Sequence, residues 1–164
     1  MAVLNNYHMT AISIFSLWII YLLKNYDCMY VLTHSKKTPQ TMQNNPIYNN
    51  VVCDIYNFFK KKLYILKRMN ISKERIILDP GIGFAKTLDH NYNILKNLSI
   101  FLDLGHPLMI GVSRKSLIKS LTKNNTLTPS VVLAVNAYTK GAKILRVHDV
   151  QETKEAINIF KRAN

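Results

Sequence analysis

Cysteine is nearly missing from this 164-residue chain: Cys28 and Cys53 are the two present, in no Cys-x-x-Cys pair and no histidine cluster. That pattern argues against a zinc site and a disulfide framework, and it fits a reducing cytoplasm. Cys28 opens an apolar run and reads as a small buried hydrophobe. Acidic side chains are scarce, 9 against 22 Lys and Arg, which leaves a net charge of +13. Such an excess fits a polyanion partner. It fits better the Lys-, Asn- and Ile-rich composition that a low-GC genome imposes, since the lysines are spread out apart from Lys60-Lys61-Lys62. Long hydrophobic runs are absent too. Ala11 to Leu23 is apolar, but it is short for a membrane span and carries serine. Met1 to Thr10 holds no Lys or Arg, and no small-x-small cleavage site precedes Lys24, which speaks against a signal sequence. Residues 1–27 therefore read as a separate, buried or partner-facing helical segment.

Hairpin signals are missing, so a sheet here must be parallel. What is present is a repeated strand ending. Ile76-Ile77-Leu78 runs into Asp79-Pro80-Gly81-Ile82-Gly83-Phe84. Leu108 to Val112 runs into Ser113-Arg114-Lys115-Ser116, Ile144 to Val147 into His148-Asp149, and Met29 to Leu32 into Thr33-His34-Ser35. Apolar strands covered on both faces end in this way, and α/β folds bind their ligands at the carboxyl ends of the strands. Between the strands, apolar residues recur at helical spacing. Val51, Ile55, Phe58, Phe59, Leu63 and Leu66 mark a helix over about 49–69, with Lys60-Lys61-Lys62 on its solvated face. Further helices are expected from about His90, from Lys115 with Leu117, Ile118 and Leu121 facing in, from Pro129 with Val131, Val132, Val135 and Tyr138 facing in, and over Gln151 to Arg162. Gly81-Ile82-Gly83 lacks the third glycine of a dinucleotide fingerprint, and no Gly-Lys-Ser/Thr follows it.

Four motifs carry a family resemblance. Asp79-Pro80-Gly81-Ile82-Gly83-Phe84-Ala85-Lys86, Ser113-Arg114-Lys115-Ser116, Arg146-Val147-His148-Asp149-Val150 and Thr38-Pro39-Gln40-Thr41-Met42-Gln43 resemble, in order and spacing, segments of dihydropteroate synthase. The resemblance runs from about Cys28 to Phe160. It implies an α/β fold of the (β/α)8 TIM-barrel type. A whole barrel typically needs about 250 residues. This chain would hold the C-terminal half, about four parallel strands with flanking helices over residues 28–164.

The resemblance also implies a reaction. 4-Aminobenzoate attacks the methylene carbon of 6-hydroxymethyl-7,8-dihydropterin pyrophosphate, and pyrophosphate leaves. Asp79 would bind the pterin, Arg146 and His148 the departing pyrophosphate, and Phe84, Ser113 and Lys115 would wall the flat rings, with Lys115 reaching toward the pterin. Lys115, Arg146 and His148 would serve the chemistry. Plainer readings stand beside these: Arg114 as a surface base, His148 as a turn histidine, Lys115 as a helix start, Phe84 as core. His90 and His106 read as surface or turn residues.

The departures bear on activity. No Asn-Val-Thr-Pro-Asp-Ser-Phe or Asp-Thr-Ser-Lys segment is found, and Thr33-His34-Ser35 stands where the family has Met-His-Met. The family's Mg2+ would thus lack its first-strand Asn. Half a barrel would leave two raw strand edges. The expected molecule is a truncated synthase, inactive alone or completed by a second subunit or by self-association. Its partners would be the small-molecule substrates, with no nucleic acid and no membrane. The alternatives are a basic nucleic-acid-binding protein, or a pterin-binding methyltransferase domain of the same fold.

Overall fold

A computed structural model describes residues 2–4, 17–35, 47–122 and 125–164, with the backbone alone for 2–4 and 17. The elements in chain order are β1 (Ala2–Leu4), α1 (Leu17–Asn25), β2 (Tyr30–Thr33), α2 (Val51–Arg68), β3 (Ile76–Asp79), α3 (Leu88–Lys96), β4 (Met109–Ile110), α4 (Ser116–Lys119), α5 (Leu127–Thr139), β5 (Ile144–Arg146) and α6 (Val150–Ala163). A 3-10 segment, Leu98–Leu104, precedes β4.

The strands are parallel. Tyr30–Thr33 pairs in register with Ile76–Asp79, which sets Thr33 beside Asp79. A parallel bridge from Leu78 to Leu108 joins β3 to the start of β4, and β4 pairs with β5. Beyond β5 lies β1, with Ala2, Val3 and Leu4 opposite Ile144, Leu145 and Arg146. The order is therefore β2-β3-β4-β5-β1. This corrects the sequence reading twice. The described strands number five rather than four, and one of them lies inside the segment expected to be helical. Among the described residues of that segment the helix is Leu17–Asn25. A strand of three residues is too short to show a period in the sequence, so nothing in Ala2–Leu4 advertised it.

Period-two alternation decides what faces where. Leu32, Leu78, Ile110 and Leu145 turn toward the helices and join Ile55, Phe59, Leu66, Phe101, Ala137 and Ile157 in the main core. Val31, Ile77 and Met109 turn the other way and form a second buried cluster with Ile144 against it. Asp79, two residues beyond Ile77, and Arg146, two beyond Ile144, inherit that inner face.

The helices are placed by local chemistry. Asn50 caps α2 by accepting the Val52 and Cys53 amides at 3.1 Å, a contact worth about 1 kcal/mol. Arg75 fixes α1 to the start of β3 by donating to the carbonyls of Leu23, Tyr26 and Cys28 at 2.8, 2.5 and 3.0 Å. Thr87 and His90 form a reciprocal capping box at the start of α3. α5 buries Ser130, Ala134 and Ala137, while Val132 is 58% exposed. Val135 and Tyr138 are partly buried against the core as expected, and the Tyr138 ring meets Phe160 of α6 edge to face at 6.3 Å. Leu121, expected inside, is 65% exposed because α4 is only one turn long. Cys28 is exposed rather than buried, since the strand begins two residues later.

Candidate active site

The carboxyl ends of the strands gather the candidate residues. Asp79 closes β3 and is 2% exposed. Its Oδ1 accepts the Gly81 amide at 2.8 Å, and its Oδ2 is 3.5 Å from the Thr33 hydroxyl. The loop that follows runs close over the end of β2. A Cβ on Gly81, whose φ is +70°, would stand 2.1 Å from the His34 carbonyl oxygen. Only glycine tolerates both that backbone and that approach.

Side chains from three directions pin this loop. The buried ammonium of Lys86 donates to the carbonyls of Gly81, Phe84 and His34 at 2.9, 2.8 and 3.3 Å and lies 3.2 Å from His34 Nδ1. Asn91, from α3, accepts the Gly83 amide at 2.7 Å and donates to the Thr87 carbonyl at 2.7 Å. The Tyr48 hydroxyl donates to the carbonyl of Ala85 at 3.0 Å, where a left-handed φ of 48° turns the chain. Burial pushes the Tyr48 hydroxyl up to about 12, so it stays protonated and donating at neutral pH.

Lys115 enters from the start of α4. Its ammonium donates to the Ile82 carbonyl and sits 5.0 Å from the Phe84 ring centroid, a cation–π distance. Burial pulls its pKa down to about 8, with the Asp79 carboxylate opposing and the Arg146 guanidinium assisting. Those two influences place a carboxylate and two cations around one spot, with Phe84, half-buried, as its aromatic wall.

Arg146, half-buried at the end of β5, makes no hydrogen bond or ion pair to the described residues. His148 and Ser113 adjoin it. Ser113 is 5% exposed; its hydroxyl oxygen accepts the His148 amide at 3.3 Å and lies 3.0 Å from the exposed imidazole's Nδ1. That link ties the β4 loop to the β5 loop. Arg114 is different. Its φ of 56° swings it outward, where it pairs with Asp149 at 3.3 Å through Nε and more closely through a second nitrogen. The pair raises the Arg114 pKa further, through the hydrogen bond first and the charge second. The plain reading of Arg114 as a surface base agrees with this geometry.

Six sequence candidates thus converge, namely Asp79, Phe84, Ser113, Lys115, Arg146 and His148. Sequence reasoning assigned no role to Thr33, Lys86, Asn91 or Gly111. Lys86 stood inside the Asp79 to Lys86 motif, but nothing in the sequence around it marked its contacts with backbone carbonyls. The Thr38 to Gln43 motif lies outside the described residues. Among the described residues no group of three or more His, Cys, Asp or Glu side chains is placed to hold a metal. No helix among them is long and apolar enough to cross a membrane.

A buried acceptor, a half-desolvated ammonium, an aromatic face and an unengaged guanidinium suit a flat nitrogen heterocycle joined to an anion. The match to known proteins agrees. The model of pterin binding enzymes covers residues 2–148. The chain belongs to that family.

Within the family, it is 40% identical over 133 residues to the dihydropteroate synthase of Escherichia coli, covering 79% of this chain and 47% of that one. The dihydropteroate synthase of Thermus thermophilus superposes with a TM-score of 0.86 at 29% identity, over 93% of this chain and 62% of that one. The Xanthomonas albilineans enzyme in complex with 7,8-dihydropteroate superposes with a TM-score of 0.74 at 32% identity, over 82% of this chain and 49% of that one. The architecture is of the TIM-barrel α/β type, present in part. The chain spans about half the length of the family members it matches.

Proposed function

We propose that this chain carries the dihydropteroate synthase half-site for the pterin and the leaving pyrophosphate, and that turnover requires the missing part of the barrel. The observation that carries the reading is the convergence of Asp79, Lys115 and Arg146, with the Lys115 ammonium under the influence of both other charges. In the reaction, the amine nitrogen of 4-aminobenzoate forms a bond to the exocyclic methylene carbon of the pterin. The bond from that carbon to oxygen breaks, pyrophosphate takes the electron pair, and the amine loses a proton. Asp79 accepts hydrogen bonds from the amino-pyrimidine edge. Phe84 and the Lys115 stem bound the ring. Arg146 and His148 meet the pyrophosphate, and Ser113 holds the His148 ring. The catalytic contribution is positioning and stabilisation of the departing anion.

The strand order bears on which part is missing. Five parallel staves in the order β2-β3-β4-β5-β1 correspond to the last four strands of an eight-stranded barrel followed by its first. The gap then lies between β1 and β2, and it amounts to about three β-α units. This changes the expectation for Mg2+. The residue directly after β1 is Asn5, which is where the resemblance calls for an Asn ligand; its structure lies outside the described residues. An oxygen donor of this kind, with pyrophosphate oxygens and water, suits Mg2+, which keeps few protein ligands. The ion would neutralise charge on the pyrophosphate. A completing subunit would supply the remaining substrate contacts, in the cytoplasm where folate precursors are made.

The test is a titration of the purified chain with 6-hydroxymethyl-7,8-dihydropterin pyrophosphate, with far-UV circular dichroism on the same sample. Saturable binding by a folded chain supports a competent half-site. A folded chain that does not bind contradicts it.

A further inference from the structure

Gly111 is buried just past β4, and its φ lies outside the left-handed region that asks for glycine. Nothing in its backbone therefore explains the missing side chain. Its neighbour does. The register that pairs Ile110 with Leu145 brings Gly111 beside Arg146 on the next step, and alternation turns both toward the inner face. A Cβ built on Gly111 would stand 3.2 Å from Nε, 3.3 Å from a terminal guanidinium nitrogen and 3.7 Å from Cβ of Arg146. Two guanidinium nitrogens thus lie against the glycine, closer than a side chain there would comfortably allow.

We infer that Gly111 is a positioning residue: its bare Cα is the seat that holds the Arg146 guanidinium on the inner face, presented to an incoming pyrophosphate. The inference rests on the functional reading above for the identity of the anion. The seat itself rests on geometry alone. A guanidinium makes forked contacts only when its plane is held. Arg146 has no carboxylate or hydroxyl among the described residues to hold it, so the flat support beneath it does that work. A methyl at Gly111 lifts the plane by a few tenths of an ångström or swings it away, and the forked contact is lost while the charge remains.

The experiment uses the whole chain with inorganic pyrophosphate as the probe, and arginine labelled at Nε for the resonance of Arg146. Gly111→Ala is expected to weaken pyrophosphate binding about tenfold, the scale of one charge-assisted hydrogen bond, and to shift the Arg146 Nε–H resonance. In an Arg146→Ala background the same glycine substitution is expected to change nothing further, because its whole effect passes through the guanidinium. Equal losses in both backgrounds, or an unmoved resonance, would overturn the inference. Should Gly111→Ala fail to fold, Gly111→Ala/Arg146→Lys is expected to fold, since an unbranched ammonium chain leaves room for the methyl. A double variant that is also unfolded overturns the seat. If the parent chain does not bind pyrophosphate, the functional reading falls, and the resonance alone decides the seat.

Discussion

Lys86 Nζ lies 3.2 Å from His34 Nδ1 in the interior of the protein, where the same ammonium takes three backbone carbonyls. The pair joins the end of β2 to the loop after β3. A buried ammonium is costly to desolvate, and the carbonyls offset that cost only if the loop keeps its present path. The cation thus fixes the loop, and the loop fixes Asp79 and Phe84.

Lys86→Met tests this. It keeps the length and apolar stem of the side chain and removes the donor. The buried carbonyls of Gly81 and Phe84 lose a partner, at about 1–3 kcal/mol each when unsatisfied. Hydrogen exchange should accelerate at the amides of Gly83 and Phe84 well before it does in α2. Uniform acceleration across the chain would mean that Lys86 supports the fold at large and has no particular hold on this loop.

Lys115 should impose opposite pH trends on stability and on binding. Its folded pKa of about 8 lies below the usual 10.5. Between those values the unfolded chain holds the proton and the folded chain does not, so the unfolded state binds more protons and stability rises with pH. Below about 8 both states are charged, and the penalty of the buried charge is fully present. Ligand binding runs the other way. The ammonium that faces the pterin site is lost as pH climbs through 8, and affinity for the pterin pyrophosphate should fall there. A Lys115→Gln variant should flatten both profiles. A parent affinity that stays level from pH 7 to 9 contradicts the role given to Lys115.

Arg114 should be silent in binding. It is exposed and pairs with Asp149. Arg114→Ala is expected to leave pterin and pyrophosphate titrations unchanged, with a small drop in melting temperature that shrinks in high salt. A substantial loss of pyrophosphate affinity would place Arg114 in the site after all.

Much of this was legible in the sequence, and the exceptions share a cause. The endings after Leu78, Val112 and Val147 were readable because an apolar run stopped at charged or hydroxyl residues. The α2 face from Val51 to Leu66 was readable because its period is long. β1 was not, because three residues carry no period and its partner strand lies some 140 positions away in sequence. Lys86 and Gly111 were invisible as working residues for a related reason. One draws its role from carbonyls that no side-chain pattern encodes, the other from empty space that register alone reveals. The inward face of α5 was read in part: Val135 and Tyr138 pack against the core, Val132 is exposed, and the small Ser130, Ala134 and Ala137, which hydrophobic size does not flag, are the fully buried ones.

The measurement to make is a paired titration of the parent chain and Asp79→Asn with 6-hydroxymethyl-7,8-dihydropterin pyrophosphate, each checked for folding by circular dichroism. Asp79 accepts the Gly81 amide through one oxygen and keeps the other toward Thr33, so the amide variant retains the shape and loses an acceptor. The expected result is saturable binding by the parent and loss of at least about tenfold in affinity for the variant, the scale of a buried charge-assisted hydrogen bond. Equal affinities in two folded proteins would contradict the placement of the pterin at Asp79, and with it the half-site itself.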